Sequence, residues 1–259
     1  MSRFLRYAAL GALVTAPLGV YALAVRPWRR RWGVDATESA ATLPGDDIVA
    51  EATAVETRGI TIDAAPDDVW PWLVQMGYGR AGWYSYDQLD MKGRSATEIV
   101  PEWQGLKAGD TVPTHPDGGF VVRVLEPQRA LVLYVDSAMA AGWKRPRVAR
   151  IATSEVPGLH ASGVMLDATM PHEFAGTWAF AIKPQEDGRT RLIERARFHF
   201  GDQAAGVRIA KEALGFGVFL MMRRQLLGIR DHAEALARTK VPAPYTAPYA
   251  APSGAPMAT

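Results

Sequence analysis

Apolar residues near the C-terminus step by three and four: Phe219, Met222, Leu226, Ile229, Ala233 and Leu236, with Leu214, Val218 and Met221 widening the stripe. Arg223, Arg224, Arg230, Asp231 and Glu234 fall largely elsewhere, so the spacing predicts one amphipathic helix over Gly206 to Arg238 with a broad buried face. Upstream the period drops to two. Alternating runs rich in β-branched and aromatic residues predict strands at Arg58 to Asp63, Asp110 to Val112, Phe120 to Glu126, Ala130 to Asp136, Thr177 to Ile182 and Thr190 to Phe200. Gly118-Gly119, Glu126-Pro127 and Gln185 to Gly188 supply turns between them. A long helix cannot bury its face against itself. The pattern therefore points to an α+β domain in which a curved antiparallel sheet grips the C-terminal helix.

Between the first two strands, Pro66 is suited to open a helix, and Asp67 and Asp68 complement its positive end. Val69, Trp70, Leu73 and Met76 give its apolar side, Gly77 ends it, and Pro71 keeps it short or kinked. Gly77 to Gly82 spells G-x-G-x-x-G, but here the motif leaves a helix, whereas the dinucleotide fingerprint leaves a strand. It reads as a flexible loop between two short helices, and no cofactor is expected. Residues Ala140 to Glu173, with a strand candidate at Val148 to Ala152, interrupt the rhythm of short strands; a lid and an ordinary extra hairpin are both open. Residues 239–259 are rich in Pro and Ala and are expected to be disordered.

Charge changes the picture at the N-terminus. Arg3, Arg6, Arg26, Arg29, Arg30 and Arg31 precede Trp32 with no acid among them, so removing these six from the net +2 leaves −4 on the rest. A mildly acidic domain is a poor nucleic-acid binder. Tyr7 to Val25 carries no charged side chain, and its 19 residues would span roughly 28 Å as a helix, enough for a bilayer core. Three readings are open: an N-terminal transmembrane helix with the domain cytoplasmic, an export signal cleaved after Ala22-Leu23-Ala24, and a peripheral or buried helix. The arginines behind the apolar run favour the anchor through the positive-inside bias. The expected organisation is then a membrane anchor with basic flank over 1–31, a loosely packed connector over 32–56, the main domain over 57–238 with an insertion at 140–173, and the tail.

The opening Ile60-Thr61-Ile62-Asp63-Ala64-Ala65-Pro66-Asp67-Asp68-Val69-Trp70, the hairpin at Asp187 to Ile193 and the helix at Met221 to Ile229 resemble the SRPBCC (START/Bet v1-like, polyketide cyclase-related) superfamily. The Trp-Tyr-Ser-Tyr-Asp and Pro-Glu-Trp-Gln segments are similar to those of its membrane-anchored bacterial members. The resemblance covers about Thr57 to Arg238, apart from Ala140 to Glu173, which is longer than the family leads one to expect. It implies the helix-grip fold with a hydrophobic cavity between sheet and helix, used for lipids, polyketides or other apolar molecules. It transfers no catalytic set, because none is shared across the superfamily.

Candidate chemistry is sparse. With no cysteine and no asparagine, disulfides, thiolate sites and Asn-linked glycans are excluded. His115, His160, His172, His199 and His232 lack metal-ligand spacing, and neither a G-x-S-x-G elbow nor a P-loop occurs. The best candidate site is Trp83, Tyr84, Tyr86, Asp87, Glu102 and Trp103, aromatic walls with a few acids, joined by Trp178 and by Leu214, Val218, Met221 and Met222 of the helix. Asp87, if buried there, could act as a general acid or base; the alternative is that it caps a helix. Gly215 and Gly217 would leave room for a ligand beside the helix. The expected function is a membrane-tethered binder or carrier of a hydrophobic small molecule or lipid, with a cyclase/dehydratase-type enzyme as the alternative.

Overall fold

The computed structural model describes residues 19–90, 93–143, 173–201 and 205–240. Six strands form one sheet: β1 (Ala54–Ile62), β2 (Thr111–His115), β3 (Gly118–Glu126), β4 (Ala130–Asp136), β5 (Phe174–Pro184) and β6 (Thr190–Phe200). Their order is β1-β6-β5-β4-β3-β2, antiparallel throughout. The 11-residue strands β5 and β6 pair without a break from Phe174 opposite Phe200 to Pro184 opposite Thr190. They are the backbone of the sheet. Register shifts between Val122 and Val124 and between Pro113 and His115 bend its far edge, as an extra unpaired residue does.

The strands present Ile62, Leu131, Leu133, Phe180 and Leu192 to one core, all essentially inaccessible. That core is closed by α3 (Pro66–Val74) and α6 (Ala205–Lys240); shorter helical pieces are α1 (Arg26–Arg30), α2 (Ala36–Ala40), α4 (Asp87–Asp90) and α5 (Ser137–Ala141). Leu226, Ile229 and Ala233 of α6 are fully buried, the two larger ones contributing about 1.5–3 kcal/mol each. His232 stacks on Trp72 of α3 with ring centroids 4.6 Å apart. The far end of α6 is pinned where Lys240 pairs with Asp68 and where Glu234 accepts the Asp63 N–H at 3.0 Å. The α+β helix-grip architecture expected from the sequence is present.

The connector is not loosely packed. The outward positions of β6 carry Arg191, Arg195 and Arg197, and these hold residues 33–50 against the outer face of the sheet. Arg195, nearly inaccessible, pairs with Asp46 at 2.6 Å and donates to the Ala41 and Ser39 carbonyls at 2.7 and 2.9 Å. Arg191 pairs with Glu38 at 2.7 Å, and Arg197 donates to the Val49 carbonyl at 3.2 Å. Leu43 packs between Ala181 and Ile193 as a second, small core. A guanidinium can satisfy several backbone carbonyls at once, which is why three arginines suffice to fasten a segment with little regular structure of its own.

Tyr21–Val25 forms a π-helical turn running into α1, and among the described residues no helix is long and apolar enough to cross a membrane. Most of the run from Tyr7 lies outside the described residues. The basic flank is not a free flank: Arg29 is buried and lies 3.3 Å from the Glu56 carboxylate of β1. The strand expected at Val148 to Ala152 and most of the 140–173 insertion also lie outside the described residues, as does the tail after Lys240.

Candidate functional site

The inward positions of β6 are Leu192, Glu194 and Ala196, so a carboxylate stands where the alternation calls for an apolar side chain. Glu194 is inaccessible to solvent. Its Oε1 accepts the Trp178 indole N–H at 2.6 Å, and its Oε2 has no hydrogen-bond partner among the described residues. Directly across the β1–β6 ladder stands Arg58, also inaccessible. The Arg58 guanidinium pairs with Glu56, donates to the Met222 sulfur at 2.9 Å and lies 5.6 Å from the Phe219 ring centroid, and its Nε also has no partner among the described residues. Trp178 extends the group: it stacks on Trp83 at 5.3 Å and meets Phe120 edge-on at 5.8 Å.

Burial pushes the Glu194 carboxyl up to about 7; the Arg58 guanidinium and the Trp178 N–H act against the rise, and the Glu56 carboxylate adds to it. An acid in that range can hold or release a proton near neutrality. Beside it stands the Arg58 guanidinium. The pair can therefore orient a polar group on an otherwise apolar ligand, or exchange a proton with one.

The sequence-predicted site residues divide among three places. Trp83, Trp178 and Met222 meet around Glu194 and Arg58, with Val218 and Met221 half-buried on neighbouring positions of α6. The Leu214 side chain lies outside the described residues. Tyr84 instead turns into a second cluster, its hydroxyl accepting from Gln75 at 2.9 Å and its ring meeting Trp72 and His232 edge-on. Burial pushes its phenol well above the ordinary range. Gln75 is the hub there, its oxygen accepting from the Val100 N–H and from Gln104, both at 3.0 Å.

Asp87 accepts from the Ser95 hydroxyl at 2.6 Å, which in turn accepts the Tyr84 N–H at 3.1 Å, so this carboxylate fastens its own loop. Tyr86 is exposed. Glu102 and Trp103 border a separate cleft of about 340 Å³ with Arg80, Leu106 and Asp110. Arg80, which that cleft exposes in part, donates to the Val74 and Trp103 carbonyls at 2.9 and 3.0 Å.

Neither helix glycine leaves room inside the grip as expected. A Cβ at Gly215 would lie 2.6 Å from the Arg29 guanidinium, while at Gly217 it would meet open space. The G-x-G-x-x-G segment is a tight loop rather than a flexible one: Gly77 and Gly82 exchange both backbone hydrogen bonds, at 3.0 and 3.1 Å. Gly77, Gly79 and Gly82 all have positive φ, which explains their identity without a phosphate.

No family model and no curated protein matches the sequence. Similar solved structures include a conserved protein of Geobacillus kaustophilus, at 14% identity and TM-score 0.37 over 70% of this chain and 96% of that one. Another is the hypothetical protein jhp0584 of Helicobacter pylori, at 14% and 0.40 over 79% and 100%. The Zhui aromatase/cyclase of Streptomyces sp. R1128 is also among them, at 13% and 0.30 over 70% and 93%. Within the helix grip, Glu194 and Arg58 are the residues that sequence reasoning missed. The signal was present as Glu56 and Arg58 on the same alternating face as Ile60 and Ile62, and as Glu194 on that of Leu192 and Ala196.

Proposed function

We propose that the protein binds a hydrophobic small molecule or lipid inside the grip, with Trp83, Trp178 and Met222 as apolar walls and Glu194 with Arg58 as the polar end. The observation that carries this reading is the pair of fully buried atoms, Glu194 Oε2 and Arg58 Nε, that lack partners among the described residues. Each buried polar atom left unpaired costs about 1–3 kcal/mol, and a ligand hydroxyl or carbonyl removes that cost while its apolar body stays out of water. A tether at the inner face of the cell membrane belongs to the same proposal. It is supported by the uncharged run Tyr7 to Val25 and the arginines that flank it.

One observation favours a second reading, a cyclase- or dehydratase-type enzyme: an acid titrating at about 7 beside an arginine suits proton transfer to an apolar, oxygenated substrate. Native mass spectrometry of the full-length protein, followed by extraction, addresses both. A carrier retains an apolar molecule in one-to-one ratio and returns it unchanged. An enzyme converts that molecule on fresh incubation, and Glu194→Gln stops the conversion while leaving the molecule bound. A protein that holds no apolar molecule, whether purified alone or offered a lipid extract, contradicts the proposal.

A further inference from the structure

Of the large apolar side chains that stand exposed among the described residues, all but Val55 and Tyr86 gather on two neighbouring segments. Leu23 is 84% exposed and Val20 61%, and Trp28, Phe216 and Leu220 are each exposed by 40% or more. These segments run side by side: Trp28 meets Phe219 edge-on at 5.2 Å, Arg29 lies against Gly215, and the Arg223 guanidinium sits 5.0 Å from the Trp32 ring. The first half of α6 therefore continues the surface that the N-terminal segment begins. Phe216 and Leu220 are one helical turn apart, and Gly217 beside them faces open space.

The two segments that carry this patch hold charge of one sign, with Glu56 of β1 pairing with Arg29 and Arg30 beside them. Met1 to Val34 and Ala213 to Arg230 contain no Asp or Glu, whereas Arg31 and Arg223 are exposed at the border of the apolar side chains. Trp28, half out of the protein, is the kind of side chain that settles at a membrane–water boundary. Val20 and Leu23 belong to the uncharged run Tyr7 to Val25.

We infer that Val20, Leu23, Trp28, Phe216 and Leu220 form one lipid-facing surface that lies in the headgroup region of an anionic bilayer, with Arg31 and Arg223 on the phosphates. A second copy of the chain fits less well. Closing the patch on itself about a twofold axis would bring Arg31 and Arg223 of both copies into one interface. Basic side chains near the surface of an anionic bilayer are drawn to its negative potential. The contact also fixes an orientation: α6 meets the membrane with its first half, while the end held by Asp68 and the Gln185–Gly188 turn points away. This goes beyond the proposed tether, which concerns the N-terminal run alone.

The chain has no cysteine, so a single one can be placed and labelled without background. Full-length Leu220→Cys and Asp187→Cys are labelled with an environment-sensitive nitrobenzoxadiazole dye and reconstituted into vesicles of phosphatidylcholine and phosphatidylglycerol. The Leu220 label should shift to the blue and be quenched by a lipid-borne nitroxide, while the Asp187 label stays in water. Adding Arg31→Gln and Arg223→Gln should lower the quenching at Leu220 severalfold. Vesicle-bound protein whose Leu220 label remains in water overturns the inference and leaves the tether standing. Protein that does not associate with vesicles overturns both. A Leu220 label already shielded without vesicles, in proportion to protein concentration, assigns the patch to a second copy and overturns the inference as well.

Discussion

Glu194 is the buried carboxylate at the centre of the proposed ligand site. Its carboxyl has an ordinary value of 4.5 and titrates at about 7 in the folded protein, so the folded state holds a proton that the unfolded chain releases between these values. Below about pH 4.5 the residue is neutral in both states and adds no penalty; from there upward stability falls, and above about pH 7 the full cost is present, on the order of 3 kcal/mol. Glu38 acts in the opposite direction, because the hydrogen bond from Arg191 lowers its carboxyl and its contribution is lost as pH falls. Comparing Glu194→Gln with the unaltered protein cancels the Glu38 effect. The amide can still accept from Trp178. Denaturant titrations should then show the variant more stable at about pH 8 and no different at about pH 4. Equal stability at both values would mean that Glu194 ionises freely.

At the scale of elements, α6 illustrates how far the sequence reaches and where it stops. Its apolar stripe of Phe219, Leu226, Ile229 and Ala233 was legible from spacing, and all four are buried. β4 and β6 were legible to the residue, whereas β1 and β5 extend further than their alternating cores because β6 offers partners, Phe198 to Ala54 and Phe200 to Phe174. That extension depends on a distant strand, and no local pattern announces it. Glycines are illegible for the same reason, since composition does not say what each one faces. Gly228 is where α6 touches the loop carrying Tyr84; a Cβ there would lie 2.2 Å from the Tyr84 carbonyl oxygen. Gly228→Ala should destabilise the protein by about 1–3 kcal/mol through overpacking. Gly217→Ala, facing open space, should stabilise it by up to about 1 kcal/mol through helix propensity. Shifts of the denaturation midpoint in opposite directions are the expected result.

For the molecule as a whole, the sheet has two occupied faces. Its inner face grips α6 around the Glu194–Arg58 pair, and its outer face is covered by the connector that Arg191, Arg195 and Arg197 hold down. The connector's adherence was not legible, because its hydrogen bonds run from side chains of β6 to carbonyls some 150 residues earlier. The candidate site was legible only in part. Trp83, Tyr84, Asp87 and Glu102 are neighbours in sequence, but the positive φ of Tyr84 and the tight turn at Gly77 to Gly82 send them to different places. The polar centre comes instead from strands more than 130 residues apart, which only the pairing of β1 with β6 brings together.

That centre is tested most directly by measuring how the protein ranks two probes of nearly equal size, 1-naphthol and 1-methylnaphthalene, of which only the first can hydrogen-bond to Glu194. A hydrogen bond to a buried charged group is worth about 1.5–3 kcal/mol, so the unaltered protein should bind 1-naphthol at least about tenfold more tightly. Glu194→Leu should lose most of that preference, with only the Arg58 Nε–H left to donate to the naphthol oxygen. Binding of neither probe, or an undiminished preference for 1-naphthol in Glu194→Leu, would contradict the assignment of Glu194 and Arg58 as the polar end of a ligand site.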